Sequence, residues 1–197
     1  MHPDAGIRVR EARPEHAAGI SALFSRAEVA CHCRYWHFNG DTNAWLERAA
    51  HSLDHNRAEM ISALEEASPE MSGVVALHDH DVVGWLKLAP ATSLRKLYGQ
   101  RLYRSLPCFS GARDGVLTVG CVLVDPRARR RGVARALLRG AIDHARAVGA
   151  RAIEALPRRA DGVSDAELWM GPFRIFDEAG FAVVHDFAPY PVLRLTL

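Results

Sequence analysis

Ile7 to Ala12 (IRVREA) alternates apolar and polar positions, the period of a half-buried strand. Pro14 then opens a helix whose apolar stripe is Ile20, Leu23, Phe24 and Ala27. A second helix is expected from Asp41 or Thr42, either a fitting cap, with Trp45, Leu46, Ala49 and Leu53 on one face. A third runs from Arg57 to Ala67 around Met60, Ile61 and Leu64. Gly73 to Pro90 reads as a hairpin, two β-rich runs about the turn Asp79-His80-Asp81. SLRKLYGQRLYRSL (Ser93 to Leu106) has a helical pattern, but Pro107, Gly111 and Gly115 rule out its continuation. Residues 91–113 are therefore expected as an insertion near the surface. Val116 to Val124 is apolar almost throughout, as a strand covered on both faces must be, and Asp125-Pro126 ends it. The strongest amphipathic helix comes next, with Ala134, Leu137, Leu138, Ala141, Ile142, Ala145 and Val148 inward and Gly149 as its stop. Arg151 to Leu156 is a further strand, a short helix ends at Gly180, and residues 181–187 and 192–197 supply the last two strands. This order implies an α/β fold, one mixed sheet with helices on both faces.

Composition narrows the picture without redirecting it. A chain of 197 residues with 49% apolar and 24% charged positions is expected to form one globular domain over 1–197. The net charge of +2 gives no bulk attraction for nucleic acid or anionic membrane. The first residues lack the apolar core of an export signal and no stretch is long enough to span a membrane, so a cytoplasmic location is expected. The four cysteines, Cys31, Cys33, Cys108 and Cys121, are then expected to be reduced.

Chemistry concentrates first in Val124 to Leu138, VDPRARRRGVARALL. Here a buried strand ends and a helix opens at a loop rich in arginine. Helix N-termini present unpaired N–H groups and partial positive charge, which suits phosphate. Gly132 lets a ligand approach the backbone, and Ala134 leaves the first turn uncovered. Arg129, Arg130, Arg131 and Arg135 add charge. A solvated basic face or a nucleic-acid patch would also use five arginines, but a run locked between strand and periodic helix favours a built phosphate loop. There is no GxGxxG and no GxxxxGK[ST].

Arg129-Arg130-Arg131-Gly132-Val133-Ala134 resembles the R/Q-x-x-G-x-G/A signature of the GNAT superfamily of N-acetyltransferases, as do Val124-x-Pro126 and the later IFDEAGF (Ile175 to Phe181). The resemblance extends to element order from Ile7 to Leu197. The chain is also similar to a bacterial branch that combines Cys31-x-Cys33 with aromatics, Asn56-Arg57, Val83-Gly84-Trp85, Cys121 and Glu154-Ala155-Leu156-Pro157. The resemblance implies a single-domain GNAT fold with a mostly antiparallel sheet, acetyl-CoA as co-substrate, no metal, and transfer of an acetyl group to a primary amine on a small molecule or peptide. It implies that Arg129 to Arg135 cradle the pyrophosphate and that a backbone N–H among Val122, Leu123 and Val124 polarises the thioester. Glu154 stands where many members carry a base; the alternative is a structural carboxylate paired with Arg151 or Arg194. Phe176 occupies the place of the family's acid tyrosine beside the cofactor, and Trp169 stands near the place of an asparagine. A homodimer through the exposed last strand is also in keeping with the family. Competing classes are a protein that binds acyl-CoA without turnover and a basic nucleic-acid binder.

Cys31 to His37 (CHCRYWH) is the densest reactive segment. Cys31, Cys33, His32 and His37 are metal-ligand types, but structural zinc draws on two spaced pairs and none is present. CxC is also not the CxxC of thiol oxidoreductases. Two readings stay open: plain packing after a helix, or the wall of the acceptor pocket. In the second, Cys31, Cys33, Tyr35, Trp36 and His37 contact substrate, Phe38 and Asp41 assist, and His32 or His37 is an alternative base.

Overall fold

The computed structural model describes residues 6–160 and 162–197; residues 1–5, the start of the segment read above for an export signal, lie outside them. Its elements are β1 (Ile7–Glu11), α1 (Ala17–Arg26), α2 (Thr42–His51), α3 (Leu53–Glu65), β2 (Gly73–His78), β3 (Asp81–Pro90), α4 (Arg95–Tyr98), β4 (Val116–Val124), α5 (Val133–Ala147), β5 (Ala152–Ala155), α6 (Phe173–Glu178), β6 (Ala182–His185) and β7 (Val192–Thr196). The strands form one sheet in the order β1-β2-β3-β4-β5-β7-β6. Every neighbouring pair is antiparallel except β4 and β5.

Strand alternation divides the core between the two faces. Val74, Ala76, Leu86, Val119 and Val122 meet Leu137, Leu138, Ala141 and Ile142 of α5. Val75, Trp85, Cys121 and Leu123 meet Ile20, Leu23 and Phe24 of α1 and Met60 and Leu64 of α3. Coverage on both sides is why the central strands read as nearly unbroken apolar runs.

Several expectations change. The region 91–113 lies mostly at the surface, but the long helix does not form: only Arg95–Tyr98 is α-helical, and Leu94, Leu97 and Tyr103 are buried in a third cluster with Trp36, Leu156 and Val192. Its leucine and tyrosine positions cover the end of the sheet instead of forming a helical stripe. On α2 only Trp45 is buried, Leu46 is exposed, and Leu53 falls outside it as the exposed first residue of α3. Val148 lies beyond the last turn of α5 and is also exposed. The last strand, β7, is interior, and β6 forms the edge with Val183 and Val184 exposed, so an exposed last strand is not available for pairing.

Candidate active site

β4 and β5 pair only over Val116 to Thr118, after which their paths separate. At that point the β3–β4 register slips: Lys87 faces Cys121 and Leu88 faces Val119, so Gly120 is the extra residue of a bulge. A Cβ on Gly120 would stand 3.0 Å from Cδ of Lys87, so the glycine makes room for that stem. Beyond the bulge the outer edge of β4 is free of β5. The Val122 N–H points across the gap and donates to the Trp169 carbonyl at 2.8 Å. Strand alternation aims the Val124 N–H to the same side.

The gap is the floor of a cleft of about 720 Å³. Gly120 to Val124 line it on one side, and Ala128, Arg129, Arg130 and Gly132 to Arg135 at the start of α5 on another. Arg130 and Gly132 have left-handed backbones, φ 62° and 83°. These two turns reverse the chain and place the unpaired first N–H groups of α5 at the cleft wall. The loop is anchored from below. Asp125 is buried, accepts from the Arg127 N–H and guanidinium, and pairs with Arg26 at 2.6 Å. Those partners hold its carboxyl well below the usual carboxylate range. Arg127 is thus spent on the loop's own structure, and Arg135 pairs with Glu178 of α6 at 2.7 Å while bordering the cleft. Arg131 is exposed and does not line the cleft, contrary to expectation. Nor does Phe176, which is fully buried against Phe181; its neighbours Pro172 and Ile175 take the wall position.

The third wall comes from the chain after α1. Cys31, Cys33, Tyr35 and Trp36 line the cleft, joined by Trp45 and Trp169, which sequence reasoning did not place there. The Trp36 ring lies 5.4 Å from Trp169 and donates through Nε1 to the Gly120 carbonyl. The outlying faces of this wall already hold the protein's own cations: Lys96 sits over Tyr35 and Phe38, and Arg48 over Phe38. Asp41 caps α2 by accepting from the Ala44 N–H. His32 stacks on Phe24 and turns away from the cleft.

His37 lies beneath the wall and not on it. Its Nε2 is 2.7 Å from Nζ of Lys87, and its Nδ1 is 3.6 Å from Glu70. Lys87 is fully buried and also donates to the Cys33 carbonyl at 3.0 Å. Burial lowers its pKa to about 8. Burial pushes the Cys33 thiol up, but the Cys121 thiol donating to it, the Lys87 charge and the Trp85 N–H outweigh this and bring it to about 7. Cys31 goes the other way, to about 12, because of burial and the Cys33 charge. Among the described residues no cluster has the composition of a metal site.

Comparison with known proteins fits this geometry. The family model described as the acetyltransferase (GNAT) family matches residues 34–168, which contain the open edge of β4, the arginine loop and most of the aromatic wall. The chain belongs to the GNAT acetyltransferase family. It is therefore classed as an acyltransferase of the GNAT type. Among solved structures, the GNAT chain is similar to yncA of Salmonella typhimurium, solved with its cofactor acetyl-CoA, at 18% identity and TM-score 0.54, covering 98% of this chain and 94% of that one. A GNAT acetyltransferase from Brucella melitensis in complex with acetyl-CoA gives 19% and 0.53, covering 97% and 88%. A GCN5-related N-acetyltransferase from Kribbella flavida gives 20% and 0.54, covering 98% and 99%. No curated protein matches significantly.

Within the GNAT chain, Glu154 faces a buried ion-pair network and not the cleft. It is fully buried, does not line the cleft, and is held by Arg113 at 2.9 and 2.5 Å, Arg194 at 2.6 Å and the Tyr98 hydroxyl at 2.6 Å. Its acceptor sites are already used, which is the structural alternative, with Arg194 as one of the two cations. Arg113 and Tyr98 were missed because nothing local marks them; Tyr98 ends the short α4 and Arg113 lies in the loop before β4.

His37 supports one prediction about stability. Burial, followed by the Lys87 and Arg34 charges, lowers its pKa to about 3. The folded ring stays neutral while the unfolded ring takes up a proton below its ordinary value near ~6.5. Its contribution is therefore fully present above the unfolded value and is lost as pH falls from there toward the folded one. The urea-unfolding free energy should drop between neutral pH and pH ~4.5. The drop should be shallower in His37→Gln, which keeps an acceptor for Lys87 but does not titrate; equal slopes would refute the assignment.

Proposed function

We propose that this GNAT chain transfers the acetyl group of acetyl-CoA to a primary amine. The observation that carries the reading is that one cleft joins the start of α5, the open edge of β4 and the aromatic wall. In this arrangement the diphosphate takes the N–H groups of residues 133–135 and the charge of Arg129 and Arg130. Hydrogen bonds to such charged partners are worth about 1.5–3 kcal/mol each. The thioester lies along β4, with its carbonyl at the Val122 N–H, a donor already fixed in the sheet before charge develops on the oxygen. The Trp169 carbonyl must release that N–H first, which couples donor binding to the loop before α6.

The acceptor then enters against Trp36, Tyr35, Trp45 and Trp169, so a body with substantial apolar or aromatic surface suits it better than a small, fully polar amine. An alkylamine has a pKa near ~10.4 and must lose its proton to attack. Thermal shift with acetyl-CoA, combined with CoA thiol release against a panel of amines, tests the reading. Stabilisation followed by amine-dependent release is expected. In Trp36→Ala, stabilisation should persist while release falls. Stabilisation without release by any amine would make the chain an acyl-CoA-binding module; affinity for nucleic acid that collapses with salt, without acetyl-CoA stabilisation, would overturn the reading.

A further inference from the structure

Acetyl transfer as proposed leaves one buried group of reactive side chains unused. Lys87 is fully buried, yet among the described residues its Nζ touches only the Cys33 carbonyl, His37 Nε2 and, at 3.9 Å, Met71 Sδ. None of these carries negative charge. The carboxylate of Glu70 stands behind His37 and is engaged with Arg34 at 2.9 Å. A buried ammonium without a direct counter-ion is costly, so the arrangement calls for an anion beside it. The thiols of Cys33 and Cys121 are groups that can supply it, with the Glu70 carboxylate acting from behind His37. Cys33 is the one toward which donors converge: the Trp85 indole N–H at 3.2 Å and the Cys121 thiol, with the Lys87 and Arg34 charges nearby.

Two further features set this thiol apart from a packed cysteine. It comes from the loop after α1, is 4% exposed, and lines the cleft beside Gly120 and Cys121 of the strand assigned to the thioester. It is also held with a left-handed backbone, φ 57°, directly after His32 at 43°. Neither residue is glycine, and such conformations are strained and persist only where the surroundings impose them. Here the Lys87 bond to the Cys33 carbonyl and the Arg34 ion pairs impose it.

We propose that Cys33 is a nucleophile that carries the acetyl group as a thioester between acetyl-CoA and the amine. The inference rests on the acetyl-CoA reading above. The Cys33 thiolate attacks the thioester carbonyl carbon; a new S–C bond forms, the S–C bond to CoA breaks, and CoA leaves as a thiolate that takes a proton from water. One thioester replaces another, so little energy is gained or lost. The neutral amine then attacks acetyl-Cys33. A C–N bond forms, the nitrogen gives up its proton to water, and Cys33 returns as the thiolate beside Lys87. Because a thiolate is the leaving group in both steps, no phenol on α6 is required, consistent with Phe176 being buried away from the cleft.

The test uses the full chain with acetyl-CoA and no amine, quenched in acid and examined by intact mass and peptide mapping. One acetyl group on Cys33, removable by neutral hydroxylamine, is expected with a stoichiometric burst of CoA thiol. Cys33→Ala should lose adduct and burst but keep the acetyl-CoA thermal shift. Lys87→Met, which leaves the thiol in place without its counter-charge, should slow adduct formation by about tenfold or more. If acetyl-CoA stabilises the protein and amines release CoA, but no acetyl reaches Cys33 or it is found on another residue, the inference falls and the acetyl-transfer reading stands. If acetyl-CoA neither stabilises the chain nor is consumed, both fall. Should Cys33→Ala fail to fold, the mass map of the parent protein decides.

Discussion

Replacing Glu154 with leucine is expected to lower the unfolding free energy by about 3–5 kcal/mol, read from urea denaturation of the full chain. The carboxylate is fully buried, and four hydrogen bonds from Arg113 and Arg194 converge on it with one from Tyr98. Removing it strands two partly buried cations, Arg113 stacked against Tyr98 and Phe109 and Arg194 on β7. It also leaves the phenol of Tyr98 without its acceptor; that phenol is pushed up by burial and by the Glu154 charge. The network joins β5, β7 and the stretch before β4, so its loss loosens the end of the sheet at which β4 and β5 part. Glu154→Gln separates structure from catalysis. A positioning carboxylate predicts a clear loss of stability while turnover per folded molecule keeps its parent pH profile. A general base predicts little loss of stability and a turnover that collapses across the whole pH range.

The strands and helices were legible because their burial is two-sided or strictly periodic. Val116 to Val124 and the stripe from Leu137 to Ala145 have few alternatives once a sheet with two covered faces is assumed. The phosphate loop was legible for a related reason: left-handed Gly132, the arginines and the strand before them are local features. What stayed hidden depends on contacts between distant segments. Phe176 sits on a short helix whose inward face could not be told from its cleft face, so a position inferred by resemblance landed one residue off. His37 and Cys33 are close in sequence, yet one supports the wall from beneath and the other forms it. Lys87 carries a sequence signal of its own. It is the single charge in the apolar run from Val82 to Pro90, on the same face as Trp85, and such a lysine must either end the strand or find an interior partner.

Gly132→Asp is expected to weaken acetyl-CoA binding about a hundredfold, or about 2.8 kcal/mol, in calorimetric titration. Gly132 caps α5 with φ 83°, a conformation that costs an ordinary L-residue about 1–2 kcal/mol. Aspartate is among the few residues that tolerate it, and it is a favourable residue before a helix, so folding should change little. What changes is the ligand side. The new carboxylate stands at the cleft wall against a diphosphate drawn there by the α5 dipole and the neighbouring arginines. Gly132→Asn supplies nearly the same shape without charge and should lose only about tenfold, because it narrows the approach without repelling the anion. The gap between the two variants then measures charge at the start of α5, and it should shrink as salt is raised. Equal affinities in the two variants would mean that the diphosphate does not lie at α5. The orientation along β4, with the thioester at Val122 and the acceptor at Trp36, would lose its anchor at the same time, since the three are fixed by one cleft.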